Sequence, residues 1–505
     1  MATRRLLTST RLPLPLTRHL STLPTPTPTP SPSHPPLTLY DHLAATIKPK
    51  LHRLLSPDPR FLLHGTPHPS PTLAVPPLPS TRITVLPSGL RVATESNLTA
   101  RSAAIGVWID AGSRYEADEK GIGLLSVRLG TEKAAEVAEG VGGVVEGKVE
   151  RERTAIWGRV GGEGVEKGIE VLGEVARGEV SEEVVERVKK SIVDEREKVG
   201  SFGDEVVFDH LHATAFQYTP LGKSVVGPVE NIKSITKADI QEYISTHYAA
   251  QRTVIAAAGH VKHEEVVEHV KKAFKDISTN PTSTSQLVAR EPANFTGSEV
   301  RIIDDDIPLA RIAVGFNGAS WTDPDSIALL VIQNILGSWD KSVGGGKHAG
   351  SELIQRVAID EVAEKITAFN FNYKDTGLFG IYAVAKADDL DDLAYAMMYE
   401  LSKLCYRVSE EDVIRAQNQL KSSLLQKAVG TSAVAEDIGS QLLAYGRRIP
   451  IAELYARIDA VDASTVKRVA NRFIFDREVA IAAMGPIQSL RDYNWFRRRT
   501  YWLRY

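Results

Sequence analysis

The feature that most limits how this chain can fold is a segment that occurs twice. Residues 102–116 read SAAIGVWIDAGSRYE, and residues 309–323 read LARIAVGFNGASWTD. Each is an apolar run that closes on small residues. Each is followed by helically spaced segments and, further on, by an alanine-rich apolar stretch: TVIAAAGHV at 253–261 and EVAIAAMGP at 478–486. A pattern that restarts at this distance is the mark of a tandem architecture. At 505 residues the chain also exceeds what one hydrophobic core serves. The expected fold is α+β, built from two tandem homologous α/β-sandwich halves of about 200 residues each.

Finer patterning gives the boundaries. Arg82 to Ala93 reads as two strands around a Pro87-Ser88-Gly89 turn, and 103–111 as an apolar strand. Segments 163–176, 181–199, 203–216, 235–246 and 264–277 have helical spacing, and 253–261 reads as a buried strand. The Ser-, Thr-, Pro- and Asn-rich stretch 278–299 reads as a linker. Beyond it come strands near 301–306 and 310–319, a helix over 323–336, a Gly-rich loop, a strand over 377–386, three helices and a strand over 478–486. The expected halves are therefore 81–277 and 300–505.

The first 40 residues differ from the rest. They contain Arg4, Arg5, Arg11 and Arg18, many hydroxyl residues and no acid before Asp41. That composition reads as a mitochondrial transit peptide, followed by a Pro-rich N-terminal extension over 41–80. A formal net charge of −3 gives no electrostatic argument for nucleic acid. The single cysteine, Cys405, excludes an internal disulfide and a cysteine-based zinc cluster. No apolar run approaches the roughly 18 residues that span a bilayer, so no transmembrane segment is expected.

Several stretches resemble the β subunits of plant-type mitochondrial processing peptidases: GLRVATESN, GVWIDAGSRYE, FDHLHATAFQYTPLG, TKADIQEYISTHY, GSEVRIIDDDIPLA, NYKDTGLFGIYAVAK and the tail DYNWFRRRTYW. The resemblance runs from about Thr81 to Tyr505, with 120–200 divergent. It implies the clam-shell fold of the pitrilysin-type zinc peptidases. In plants it also implies kinship with core subunit I of respiratory complex III. Active members carry H-x-x-E-H and a distant third ligand, Glu. Residues four apart share one helical face, so two His can hold one zinc while the Glu between them deprotonates the bound water.

At that place the sequence reads Gly121-Ile-Gly-Leu-Leu-Ser-Val-Arg-Leu129. The resemblance sets Leu124 and Arg128 on the two His positions and Val127 on the catalytic Glu. Glu195 remains as the one family ligand, and one carboxylate does not hold zinc against competitors. No catalytic residue and no cofactor are therefore expected. Arg128 and Glu195 are expected to stand separately in solvent rather than pair. In active members the substrate strand resembles GGHLNAYTSREQT. Here Glu146 and Lys148 replace the Asn and Tyr that would face a peptide, while Arg151 and Glu152 match, leaving a substrate-strand remnant.

Other motifs carry less. His210 and His212 read as structural or surface histidines, Glu265 to His269 as a chance likeness on a charged helix, and Gly222-Lys-Ser224 as no phosphate loop. Three readings fit: a non-catalytic core subunit I-like protein of complex III, an active zinc endopeptidase β subunit, or a chain with no distinct role, either a degenerate paralogue or a gene whose 120–200 segment was wrongly assembled. The first implies an α/core II-type partner, other complex III subunits including cytochrome b, presequence peptides as a further ligand, and the matrix side of the mitochondrial inner membrane.

Overall fold

The computed structural model describes residues 80–116, 120–140, 142–178, 181–199, 203–280 and 282–501. The transit peptide expected at 1–40 and the extension at 41–80, save Ser80, lie outside them. All described residues belong to one compact unit, Pro57–Tyr505.

Two six-stranded sheets organise the described residues. The first contains β1 (Arg82–Val85), β2 (Arg91–Ser96), β3 (Ser102–Ile109), β4 (Val144–Val149), β5 (Thr154–Gly161) and β6 (Thr253–Gly259), in the order β1-β2-β6-β3-β5-β4. The second contains β7 (Ser298–Ile303), β8 (Ala310–Gly318), β9 (Ser338–Asp340), β10 (Lys365–Asn372), β11 (Gly377–Ala385) and β12 (Ala480–Gly485), in the order β7-β12-β8-β11-β10-β9. Sliding one order over the other aligns β2-β6-β3-β5-β4 with β7-β12-β8-β11-β10. In each set the first pair is parallel and the others antiparallel. The repeated segments, β3 and β8, hold the same central place. The duplication read from the sequence is therefore a duplication of topology.

Strands β3, β6, β8, β11 and β12 are buried almost throughout, which explains their unbroken apolar runs. One face of the first sheet is covered by helices of its own half, including Ile122–Gly140, Val165–Arg177, Glu182–Val199 and His263–Ala273. Its other face is covered from the second half. The Thr431–Tyr445 helix lies across β3 and β6, packing Val434, Ile438 and Leu442 on Trp108, Ala256 and Ala258. Reciprocally, the Asp204–Ala215 helix sets Val207 and Leu211 on Ala313, Ala480 and Ala482 of the second sheet. Each fully buried Leu, Ile or Val on these seams stabilises by about 1.5–3 kcal/mol. Each sheet thus needs a helix from beyond its own sequence half.

Two expectations change in detail. Five helices, not three, separate β11 from β12: Leu390–Lys403, Glu410–Lys427, Thr431–Tyr445, Ile451–Asp459 and Ala463–Phe473. The breaks are short, and Gly430 and Gly446 supply chain reversals that periodicity alone does not register. The 278–299 segment is also more than a spacer. It contains the Thr284–Arg290 helix, opened by a Ser283–Gln286 capping box. Thr284 is buried against Asp110, and Thr296 N–H donates to the Ala215 carbonyl at 2.7 Å.

Candidate functional site

The helix that would carry the metal motif is Ile122–Gly140. Its entry is fixed by Glu116, whose carboxylate accepts the N–H groups of Gly121 at 2.9 Å and Gly123 at 2.8 Å. Burial raises the Glu116 pKa, partly offset by these bonds. Gly121 has φ +74, and a Cβ there would lie 2.1 Å from the Val226 carbonyl oxygen, so only glycine makes this turn. Ile122, Leu125, Val127, Leu129, Ala134 and Ala138 then face the core.

The three motif positions fall as helical spacing dictates. Leu124 is half-buried and packs on the core, and Val127 is buried. Arg128 stands in solvent. Val127 faces the edge strand closely: a Cβ added at Gly147 of β4 would come within 2.6 Å of Val127 Cγ1. At Val127, helix and edge strand meet in an apolar contact.

Glu195, on the Glu182–Val199 helix, lies opposite Arg128. One guanidinium nitrogen, Nη2, donates to both carboxylate oxygens, at 3.0 and 3.3 Å. The pair forms, against the expectation of separate solvation. Its partners are 67 residues apart, and their meeting depends on how the two helices pack, which local spacing cannot report. Both side chains remain about half exposed, at 50% and 53%. Such a pair stabilises by about 0–1 kcal/mol. It is a surface contact that does not hold the fold.

These residues do not fit a zinc ion. Leu124 and Val127 have no donor atoms, Arg128 is a fixed cation, and Glu195 is engaged by it. Among the described residues, no three His, Cys, Asp or Glu side chains are grouped to hold a metal.

Among the described residues, strand β4 pairs only with β5, and no strand lies along its other edge. Glu146 and Lys148 are exposed on it, and Lys148 pairs with Glu150 at 2.7 Å. Arg151 and Glu152 do something else. Both are buried: Arg151 pairs with Asp209 at 2.6 Å, and Glu152 with Arg114 at 2.7 Å. Arg114 also grips both oxygens of Asp375 from the second half, each at 2.7 Å. Glu152 accepts the Lys374 N–H at 3.1 Å, and the Lys374 ammonium reaches Asp110. This network ties the end of the first sheet to the β10–β11 turn. Burial raises the Glu152 pKa, with the Arg114 charge opposing. At Asp375 burial is outweighed by the Arg114 hydrogen bond and charge, and its pKa is lowered. Glu152 therefore belongs to a clamp between halves, and Arg151 to a buried pair within the first half. The signal was present in the sequence only as scattered charges near the ends of β3, β4 and β10.

The remaining motifs resolve as structural. His212 is buried, with Nε2 2.7 Å from the Tyr373 hydroxyl and Nδ1 2.6 Å from the Phe208 carbonyl. Desolvation, then the Arg151 charge, keep its pKa well below the usual value. Glu265 pairs with Lys262, and His269 lies 3.2 Å from Glu166. Cys405 is buried, and burial pushes its thiol pKa up to about 12, so it is inert. No described helix is long and apolar enough to cross a membrane.

Comparison with known proteins gives the family. Residues 91–229 match the insulinase family (peptidase family M16), and residues 234–420 match the peptidase M16 inactive domain. The chain is 60% identical over 489 residues to the probable mitochondrial-processing peptidase subunit beta of Arabidopsis thaliana, covering 93% of this chain and 91% of that protein. It is 40% identical over 438 residues to the human mitochondrial-processing peptidase subunit beta, covering 85% and 89%. Among solved structures, a chain of complex III2 from Candida albicans, Inz-5 bound, superposes with TM-score 0.76 at 26% identity, covering 83% of this chain and 99% of that one. A protease from Helicobacter pylori shares the fold, with TM-score 0.71 at 19% identity and coverage of 81% and 100%.

Proposed function

The chain belongs to the M16 peptidase family, among the relatives of the mitochondrial-processing peptidase β subunit, and on that basis we propose that it serves as a non-catalytic core subunit I-like protein of complex III. The observation that carries this reading is the Arg128–Glu195 pair: a guanidinium occupies a helix position that must hold a neutral imidazole for zinc chemistry. Val127, packed on Gly147, removes the general base as well. The likeness to a chain of complex III2 supports a place in that assembly. In this reading the protein is mitochondrial, lies on the matrix side of the inner membrane and pairs with an α/core II-type homologue. Attachment to the membrane then runs through partners such as cytochrome b. The free edge of β4 retains backbone groups for adding an extended presequence peptide, although Glu146 and Lys148 alter its side-chain selectivity.

The rival reading, an active presequence-cleaving endopeptidase, draws on 60% identity to a probable processing peptidase β subunit. Gentle extraction of mitochondrial membranes followed by a native gel tests the assembly. Co-migration with cytochrome b is the expected result. Migration as a free monomer, apart from cytochrome b, would sink the core-subunit reading.

A further inference from the structure

Far from the vestigial site, the surface of the second half carries a stack of rings and guanidinium groups. Tyr395 and Tyr399, one turn apart on the Leu390–Lys403 helix, stack with centroids 6.1 Å apart. The Arg356 guanidinium lies 4.4 Å over the Tyr399 ring. At the other end Arg499 lies 5.2 Å over Tyr395 and 5.0 Å over Trp495. The run Arg356, Tyr399, Tyr395, Arg499, Trp495 is thus continuous. It is anchored by fully buried Phe496 and by the Ser402 hydroxyl, which donates to the Arg499 carbonyl at 2.7 Å.

Arg499 is the exceptional member. Neighbouring Arg497 pairs with Asp476 and Glu478, and Arg356 lies 3.4 Å from Glu400. Arg499 has no carboxylate partner among the described residues. Stacking holds the plane of a guanidinium and leaves its in-plane N–H groups available, which is the arrangement that receives a carboxylate or phosphate by two parallel bonds. Immobilised Arg, Tyr and Trp are also the residues that carry most binding energy in protein interfaces.

We propose that this stack is a docking surface for a partner polypeptide, which inserts an aspartate or glutamate carboxylate against Arg499 between Tyr395 and Trp495. Charge complementarity selects this occupant: Arg499 has no carboxylate partner among the described residues, whereas the exposed acids Asp391, Asp476 and Glu478 are already matched by Arg491 and Arg497. A guanidinium fork held in one plane between two rings fits a carboxylate of fixed geometry, which a folded partner segment supplies and a fluid lipid layer does not.

The test places a photo-crosslinking phenylalanine at position 395 of the full chain, expressed in mitochondria, and identifies the cross-linked peptide by mass spectrometry. The expected result is one acidic segment of one partner chain. Arg499→Glu should lower the yield by about thirtyfold, the size of a hot-spot loss, and reversing the partner's acid to Arg should restore it. Arg499→Lys keeps the charge but loses the fork and should give an intermediate yield. Unchanged thermal unfolding of both variants excludes a folding defect. Several results would overturn the proposal: a cross-link to lipid, a cross-link to the chain's own residues 502–505, or unchanged yield in Arg499→Glu. So would Arg499-dependent binding of the purified chain to cardiolipin vesicles.

Discussion

The two halves of the molecule share a strand order and differ in the helix that comes after the central strand. After β8 the chain enters the Ser326–Leu336 helix, SIALLVIQNIL, which has no charged residue and is mostly core. After β3 it enters Ile122–Gly140, which carries Arg128, Glu132 and Lys133 on its open side. The second half uses this position for packing alone. The first half keeps an open stripe there, on which Arg128 pairs with Glu195 while Val127 turns into the core. What holds the molecule lies elsewhere, in the sheets, the exchanged helices and the charged clamp. Chemistry at the stripe can therefore be replaced at little cost to the fold.

Mutation can undo that contrast, and the clamp gives the largest expected effect. Arg114→Ala leaves buried Glu152 without its cation and releases Asp375 of the second half, and should destabilise by about 3–5 kcal/mol. Denaturant unfolding checks this; a loss below about 1 kcal/mol, the size of an exposed pair, would show that the clamp does not join the halves.

The exchanged helix comes next. A Cβ at Gly439 would lie 2.2 Å from Trp108 Cδ2, so Gly439→Val should cost about 1–3 kcal/mol through overpacking. Unchanged stability would mean that this seam is looser than its geometry.

Two histidines, His212 buried and His247 half-buried, carry the contrast into pH dependence. His212 lies against the second sheet. His247 lies in the first half, where burial and then the Arg252 charge lower its pKa to about 4. Both bind protons less well folded than unfolded. Their contribution is therefore complete above the unfolded value near pH 6.5 and is lost as pH falls, down to about 4 for His247. The slope is at most about 1.4 kcal/mol per pH unit for each. Urea midpoints should fall between about pH 7 and pH 5.5, and the fall should flatten in His212→Gln. A flat wild-type profile would contradict the assigned neutral states.

The smallest effect is expected at the former site. Arg128→Ala should change stability by no more than about 1 kcal/mol, since both partners are half exposed. A loss comparable to Arg114→Ala would erase the distinction between clamp and stripe.

The duplication was readable in the sequence because β3 and β8 are buried almost throughout and so repeat as apolar runs. The exchange of helices was not readable. The apolar stripe of Asp204–Ala215 says that it covers something, not that it covers β12, far along the chain. The same limit applies at the site. That Leu124 and Val127 carry no metal-donor atoms shows in the letters themselves. The roles of Arg151 and Glu152 depend on Asp209, Arg114 and Lys374, contacts made only by folding.

In this reading the first half has exchanged metal chemistry for an internal cation at Arg128. The decisive measurement is metal analysis of the protein, purified with its α-type partner and supplied with zinc. Far less than one zinc per chain is expected, with no presequence cleavage that a chelator abolishes. One tightly held equivalent of zinc with chelator-sensitive cleavage would contradict the exchange.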